Sequence, residues 1–255
     1  MLKQVIGRTL NRMLKPYGYE LYKTVNQSLG AKDAQDEMVV HLKELFEALE
    51  IDTVLDVGAN HGQYYEFLRG KVEFTGQIHS FEPIPELASK LIARSGSDPK
   101  WQVNQCALGI QSGKAQFHIS DKPGWSSLRE LRRGQSRPTD ELRIMRSVTV
   151  EVRSLDDVMA SLKVNNLYLK LDTQGSDLDV LRGGEATLET VKALQTELGC
   201  IPCYDGAASP AEVLAFLADR GFWMTAVHSL WRDDDFRIGE ADAVFRRINR
   251  DPAGT

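Results

Sequence analysis

No apolar run in this chain of 255 residues approaches the ~20 residues that a membrane-spanning helix requires. The first 15 residues also lack the uninterrupted apolar core of a signal peptide, because Lys3, Arg8, Arg12 and Lys15 break it up. Cysteine is scarce, with three residues in all, which fits a reducing compartment. Two of them form a CxxC pair, Cys200 and Cys203. Zinc would need two further ligands at matching spacing, and Cys106 stands alone, so the pair reads as structural. Charge of one sign is missing too: 31 Lys and Arg against 36 Asp and Glu leave a net charge of -5. Nothing in that balance calls for nucleic acid as a partner. These absences lead to the expectation of a cytoplasmic protein, long enough for one α/β domain with a full core.

The most informative segment is Thr53 to Gln63, TVLDVGANHGQ. A short apolar strand breaks there into a turn punctuated by Gly58 and Gly62, which let the backbone turn tightly near a ligand. A second strand, QIHSFEPI, carries Glu82 at its end, 26 positions after Asp56. Strand, glycine turn, helix, and a second strand ending in a carboxylate make half of a nucleotide-binding sheet. The helix N-terminus offers free N–H groups, and the carboxylate can accept both hydrogen bonds of a ribose diol.

Around this unit the pattern is regular. Residues 1–15 place Leu2, Val5, Ile6, Leu10, Met13 and Leu14 near one side of a basic amphipathic helix. Such a helix suits peripheral membrane contact, packing on its own domain, or a second subunit in a homodimer. A second helical pattern runs from Asp36 to Leu49, so residues 1–50 read as a helical extension and 51–250 as the main domain. Strands are expected at 53–57, 77–81, 101–107, 167–171 and 193–198, with helices between them near 61–68, 84–92, 156–162 and 178–188. The segment 113–152 interrupts this order as a β-hairpin insertion (114–120 with 148–152), whose long loop is a candidate lid. A helix over 210–220 follows, then two strands, 223–230 and 241–248, too closely connected for a parallel crossover. The expected fold is α/β: a mostly parallel Rossmann-like sheet with an antiparallel C-terminal pair, the outline of the class I methyltransferases.

The glycine turn reads GxxxG, with Asn60 where the dinucleotide fingerprint GxGxxG has its middle glycine. A pyrophosphate is poorly served by that turn, and an adenosyl sulfonium, which has no phosphates, fits it better. The chain then resembles the FkbM family of S-adenosylmethionine-dependent methyltransferases. The resemblance rests on VLDVGANHGQY at 54–64, SFEPIPE at 80–86, NQCALG at 104–109, RSLDDVM at 153–159 and LYLKLDTQGSDLDVLRGG at 167–184. It implies S-adenosylmethionine as cofactor and methyl transfer to a hydroxyl of a sugar or natural-product scaffold. It further implies that Asp56, Gly58, Asn60 and Gly62 line the methionine side, that Glu82 holds the ribose, and that Gln105, Cys106 and Ala107 flank the adenine. The chain departs from the family at Gln174, where many relatives carry Glu, and at Ser176 and Asp177; any role for position 174 is open.

Methyl transfer to an alcohol needs a positioned acceptor and a group to take its proton. Asp172, at the carboxyl end of the LYLKLD strand, is the first candidate, with Lys170 on the same side to orient it or to hold substrate. His228 and His118 are alternative bases. Asp172, Asp177 and Glu197 are candidate oxygen ligands for Mg²⁺. The loop from Gly124 to Arg137 offers Trp125, Ser126 and Ser127 to the acceptor, expected to be a glycan, a nucleotide-linked sugar or a secondary metabolite. Its arginines, with Arg143 beyond, hint at an anionic one. Two other readings stand beside this one: a nucleotide-dependent oxidoreductase, and a non-catalytic Rossmann-like binding module.

Overall fold

A computed structural model describes residues 31–134 and 138–248. Residues 1–15, and with them the amphipathic helix expected there, lie outside the described residues. The chain separates into two compact units, Met1–Glu37 and Met38–Thr255. The second is built on a seven-stranded sheet.

Two strands whose five residues are all buried form its centre, β1 (Thr53–Val57) and β7 (Leu167–Leu171), paired in parallel. Runs of this kind suit a parallel sheet covered on both faces. Outward from β1 lie β2 (Gln77–Phe81) and β3 (Trp101–Asn104); outward from β7 lie β8 (Val191–Gly199), β10 (Ile238–Arg247) and β9 (Phe222–Arg232). The order is β3-β2-β1-β7-β8-β10-β9, with the last two pairings antiparallel. The chain runs outward from β1 and then returns to the other side of it. This reversal leaves a crevice at the carboxyl ends of β1 and β7, where open α/β sheets bind their ligands.

Alternation along the strands sorts side chains to two faces. Leu55, Val57, Leu169 and Leu171 pack with α5 (Asp177–Arg182) and α7 (Pro210–Asp219) through Leu178, Leu181 and Val213. Val54, Ile78, Tyr168 and Val244 face the other way, against Leu42, Leu45 and Phe46 of α1 (Ala31–Ala48). Helix α2 (Gln63–Phe67) follows β1 and widens into a π turn over Leu68–Val72, a shorter α-helix than the periodicity predicts. Helix α3 (Pro85–Ser95) follows β2.

A second, three-stranded sheet holds β4 (Ala107–Gly109), β5 (Gly113–Ser120) and β6 (Ile144–Ser154) in the order β4-β6-β5. The single strand expected over 101–107 is therefore two. Cys106 N–H donates to the Asn104 carbonyl at 3.1 Å, the chain turns, and Ala107 joins β6 opposite Val152. Helix α4 (Leu155–Met159) is shorter than expected, and the helix expected over 178–188 divides into α5 and α6 (Glu185–Leu188). The break has a packing cause. A Cβ on Gly183 would lie 2.2 Å from the Gly109 carbonyl oxygen, so the backbone approaches β4 where no side chain fits.

Candidate active site

The crevice at the switch point is a cleft whose empty space, open solvent included, is about 580 Å³. Gly58 and Asn60 form its floor beside Asp172; Glu82 and Ile84 follow from the end of β2; Cys106, Ala107 and Leu108 come from β4. The second sheet contributes Phe117, and its loop crosses the cleft with Pro123, Gly124, Ser126 and Leu128. Of the groups expected at the cofactor, Gly58, Asn60, Glu82, Cys106 and Ala107 are brought together. The other three are not. Asp56 is fully buried below the lining, accepting from Ser80 Oγ at 3.0 Å and paired with Lys170 Nζ at 3.2 Å. Gly62 caps α2 and packs against Leu91 of α3, and Gln105 is exposed at the turn between β3 and β4.

Glu82 is 3% exposed and fixed by two backbone donors, Asn60 N–H to Oε2 and Ile84 N–H to Oε1, both at 2.7 Å. Burial pushes its carboxyl up to about 7, against the pull of those two hydrogen bonds. Each oxygen keeps a further lone pair for the cleft. The side-chain oxygen of Asn60 is buried with no hydrogen-bond partner, an acceptor in want of a donor. Burial raises the Cys106 thiol to about 11, so it stays protonated and serves as an apolar wall. Among the described residues the lining holds the carboxylates of Glu82 and Asp172 and no lysine or arginine. A pyrophosphate would meet only negative charge here. The sulfonium and ammonium of S-adenosylmethionine, and its ribose hydroxyls, would instead find carboxylates and the unpartnered Asn60 oxygen as complements. The residues fit that molecule.

Asp172 is 42% exposed at the side chain, with Lys170 Nζ 3.6 Å away and Gln174 Nε2 donating to it at 2.8 Å. Lys170 is buried between Asp56 and Asp172, over the ring of Tyr64. Burial alone would lower its pKa, but the two carboxylates outweigh that and raise it, so it remains an ammonium that orients Asp172.

Asp177, expected above as an oxygen ligand for Mg²⁺, is engaged in hydrogen bonds. It accepts from Thr173 N–H at 2.8 Å, the Thr173 hydroxyl, Thr196 Oγ at 2.8 Å and Glu197 N–H at 3.1 Å, so both oxygens are committed to joining β7, α5 and β8. Among the described residues no three His, Cys, Asp or Glu side chains converge as metal ligands. His228 lies on the edge strand β9 opposite Asp242, and His118 binds the Ser147 hydroxyl at 2.8 Å; neither lines the cleft.

The loop residues divide in the same way. The Ser126 hydroxyl lines the cleft and accepts from Ser120 N–H at 3.0 Å. The Ser127 hydroxyl donates to the Gln174 carbonyl at 2.7 Å, which pins the loop to the end of β7. Trp125 is half-buried against the cluster of Leu131, Leu142, Cys203 and Tyr204 and is not among the residues lining the cleft. The basic loop is partly neutralised: Arg129 pairs with Asp179 at 2.6 Å and Arg132 lies 3.8 Å from Asp205. Sequence reasoning missed Tyr204 and Glu240 and left Gln174 open. The one local sign of Gln174 was its place before Gly175, and it holds φ +55° in the left-handed region.

Fold and cleft together define a Rossmann-like methyltransferase. Residues 56–224, more than half of the chain, match the family model "Methyltransferase FkbM domain", and the chain belongs to this family of enzymes. It is 27% identical over 174 residues to the 2-O-methyltransferase NoeI of Sinorhizobium fredii, covering 64% of this chain and 70% of that one. It is 25% identical over 218 residues to the hexuronic acid methyltransferase AglP of Haloferax volcanii, covering 85% and 82%. A crystal structure of methyltransferase FkbM from Methylobacillus flagellatus superposes with a TM-score of 0.48 at 13% identity, covering 93% of this chain and 70% of that one. Among the described residues no helix is long and apolar enough to cross a membrane.

Proposed function

We propose that this methyltransferase takes S-adenosylmethionine in the switch-point cleft and methylates a hydroxyl group of a sugar or natural-product scaffold. The observation that carries the reading is the cleft's charge: two carboxylates, an unpartnered amide oxygen and, among the described residues, no basic side chain, at the carboxyl ends of β1 and β7. Glu82 would hold the ribose diol, the β4 segment Cys106–Leu108 the adenine, and the Gly58–Asn60 turn the amino-acid end. The bound cofactor supplies a methyl group on a positively charged sulfur, already activated for displacement. The protein's task is then to place an oxygen and take its proton.

Asp172 is the proton acceptor in this reading. It is partly exposed at the cleft, and Lys170 and Gln174 hold its carboxylate from two sides. The loop Pro123–Leu128 roofs the cleft as a lid and keeps water from competing with the acceptor. The hydroxyl assignment is supported by the relative named 2-O-methyltransferase, and the sugar assignment by the one named hexuronic acid methyltransferase. Calorimetric titration with S-adenosylmethionine, S-adenosylhomocysteine and NAD is the test, followed by transfer of labelled methyl to a panel of glycosides. Binding of the first two and labelling of a hydroxyl is expected. NAD binding instead, or label arriving only on nitrogen or carbon, overturns the reading.

A further inference from the structure

A second cleft, of about 780 Å³, opens beside the first at the end of β8. Glu197, Glu240 and Tyr204 give it hydrogen-bonding groups, Ile201 an apolar surface, Cys200 an exposed thiol, and Arg132 a cation. Gln174, which lines the first cleft, and Tyr204, which lines the second, are hydrogen-bonded to each other. Gln174 donates through its amide nitrogen to Asp172 Oδ1 at 2.8 Å and to Glu197 Oε2, in the second cleft, at 3.2 Å. Its amide oxygen accepts from the Tyr204 hydroxyl at 2.6 Å, and that hydroxyl also lies 3.2 Å from the Trp125 carbonyl under the lid. A non-glycine residue held at φ +55° is costly backbone, kept only where its surroundings fix it.

We infer that the second cleft is the acceptor site, that it takes an uncharged, hydroxyl-rich ligand such as a neutral sugar ring, and that Gln174 and Tyr204 are the partition past which the reacting hydroxyl reaches Asp172. The inference rests on the methyl-transfer reading above and names its substrate class. Three things support it. An acceptor must reach the same strand ends as the cofactor, and Glu197 and Tyr204 of this cleft are hydrogen-bonded to Gln174, which lines the first. Carboxyl oxygens and a phenol, beside an apolar surface, are what a sugar's hydroxyls and ring carbons match. An anion is disfavoured, because three glutamates, Glu197, Glu212 and Glu240, and Asp177 line the cleft, and Arg132, the cation in the lining among the described residues, already lies 3.8 Å from Asp205. Burial raises the pKa of both Glu197 and Glu240, so the pair can retain a proton and both donate to and accept from hydroxyls.

The protein carries its own reporter. Cys200 is exposed in the second cleft, whereas Cys106 and Cys203 are buried. The experiment follows alkylation of Cys200 by N-ethylmaleimide, by peptide mass, with S-adenosylhomocysteine present. The probes are methyl glycosides of neutral hexoses and the corresponding methyl glucuronide. A neutral glycoside should slow alkylation several-fold in a saturable manner, and the glucuronide should need at least tenfold more. The alkylated protein should bind S-adenosylhomocysteine within twofold of the untreated one but transfer no methyl. Tyr204→Phe and Gln174→Ala should keep the protection while turnover falls, a kcat effect with little change in KM. Equal protection by the glucuronide, no protection by any neutral glycoside, or full transfer by alkylated protein overturns the inference. The last of these leaves the hydroxyl-methylation reading standing. Protection by a neutral glycoside with no hydroxyl ever labelled leaves the cleft and removes that reading.

Discussion

Gly58 is the position where one added carbon does most damage. It sits at φ +87°, and a Cβ there would lie 1.9 Å from the Asp172 carbonyl oxygen. Gly58→Ala must therefore push β1 and β7 apart at the point where the cleft forms. Strain and clash together should cost about 3 kcal/mol, roughly 6–12 °C in Tm for a domain of this size, and abolish S-adenosylhomocysteine binding. Calorimetry on a variant that still folds checks this, and near-native affinity would mean that the turn is not the floor of the site. Glu82 makes a different prediction at the same scale. Its carboxyl titrates near 7 in the folded chain and near 4.5 when unfolded. The folded state thus holds a proton that the unfolded state has lost, so this group's contribution to stability falls as pH rises from about 4.5 to 7, by about 3 kcal/mol. Glu82→Gln forfeits one of the two backbone hydrogen bonds at every pH but does not ionise. Its stability relative to the natural protein should rise by up to about 3 kcal/mol across that window and be flat above it. Denaturant titrations from pH 4 to 9 read the difference directly. Ribose hydroxyls must donate to the ionised form, so S-adenosylhomocysteine should bind more tightly as pH rises from 6 to 8, with proton release visible as buffer-dependent heat.

At the scale of elements, Asp177 joins β7, α5 and β8 through four donors, and its removal strands all four in a buried place. Asp177→Ala should cost about 4 kcal/mol, roughly 8–16 °C in Tm, and added Mg²⁺ should neither restore it nor raise the melting point of the natural protein. A magnesium-dependent rise would favour the ligand role for Asp177 over the joining role that its hydrogen bonds support. Asp177 also marks the border of what the sequence could say. Strands β1, β2, β7 and β8 were legible because both faces of the sheet are covered: β1 and β7 are apolar or β-branched but for Asp56 and Lys170, and β2 and β8 keep apolar residues around their polar ones. The antiparallel end was legible from the short connection between β9 and β10. The turn at Gln105–Cys106 was not, since it contains neither glycine nor proline and exists because β6 offers Ala107 a partner. Gly183 and Gly184 looked like ordinary helix residues because their reason lies in Gly109 and Leu155, far away in sequence. In the site, Gly58, Asn60 and Glu82 belong to one local motif and could be read. Gln174, Tyr204 and Glu240 meet only through the register of β8 with β10 and the course of the 200–208 segment, which no spacing rule reports. Trp125 looked like a sugar platform because loop tryptophans often are, and it stands half-buried on the cluster around Tyr204, outside the cleft's lining.

For the molecule as a whole, the cofactor cleft is where two sheets meet. Its floor belongs to the large sheet through Gly58, Glu82 and Asp172, and its wall and roof to the small one through Ala107, Phe117 and the Pro123–Leu128 loop. A ligand filling it must tie the two sheets together, and it stabilises the folded state by mass action. At one hundred times its dissociation constant S-adenosylhomocysteine should add about 2.7 kcal/mol, a rise of roughly 5–11 °C, whereas NAD at the same concentration should add none. The distribution of that gain is the stronger test. Hydrogen exchange should slow at Gly58–Asn60, at Ala107–Leu108 and along Pro123–Leu128 together, because the roof is pinned through Ser127 to the Gln174 carbonyl and closes on the same ligand. The β9–β10 hairpin at the opposite edge of the sheet should show little change, lying two strands beyond β7. Protection confined to the glycine turn, with the loop exchanging as before, would show that the small sheet is not part of the binding site and that the lid is a bystander. Protection spread across both sheets and the loop makes the insertion a working part of the enzyme: it completes a cleft that the Rossmann-like sheet alone leaves open.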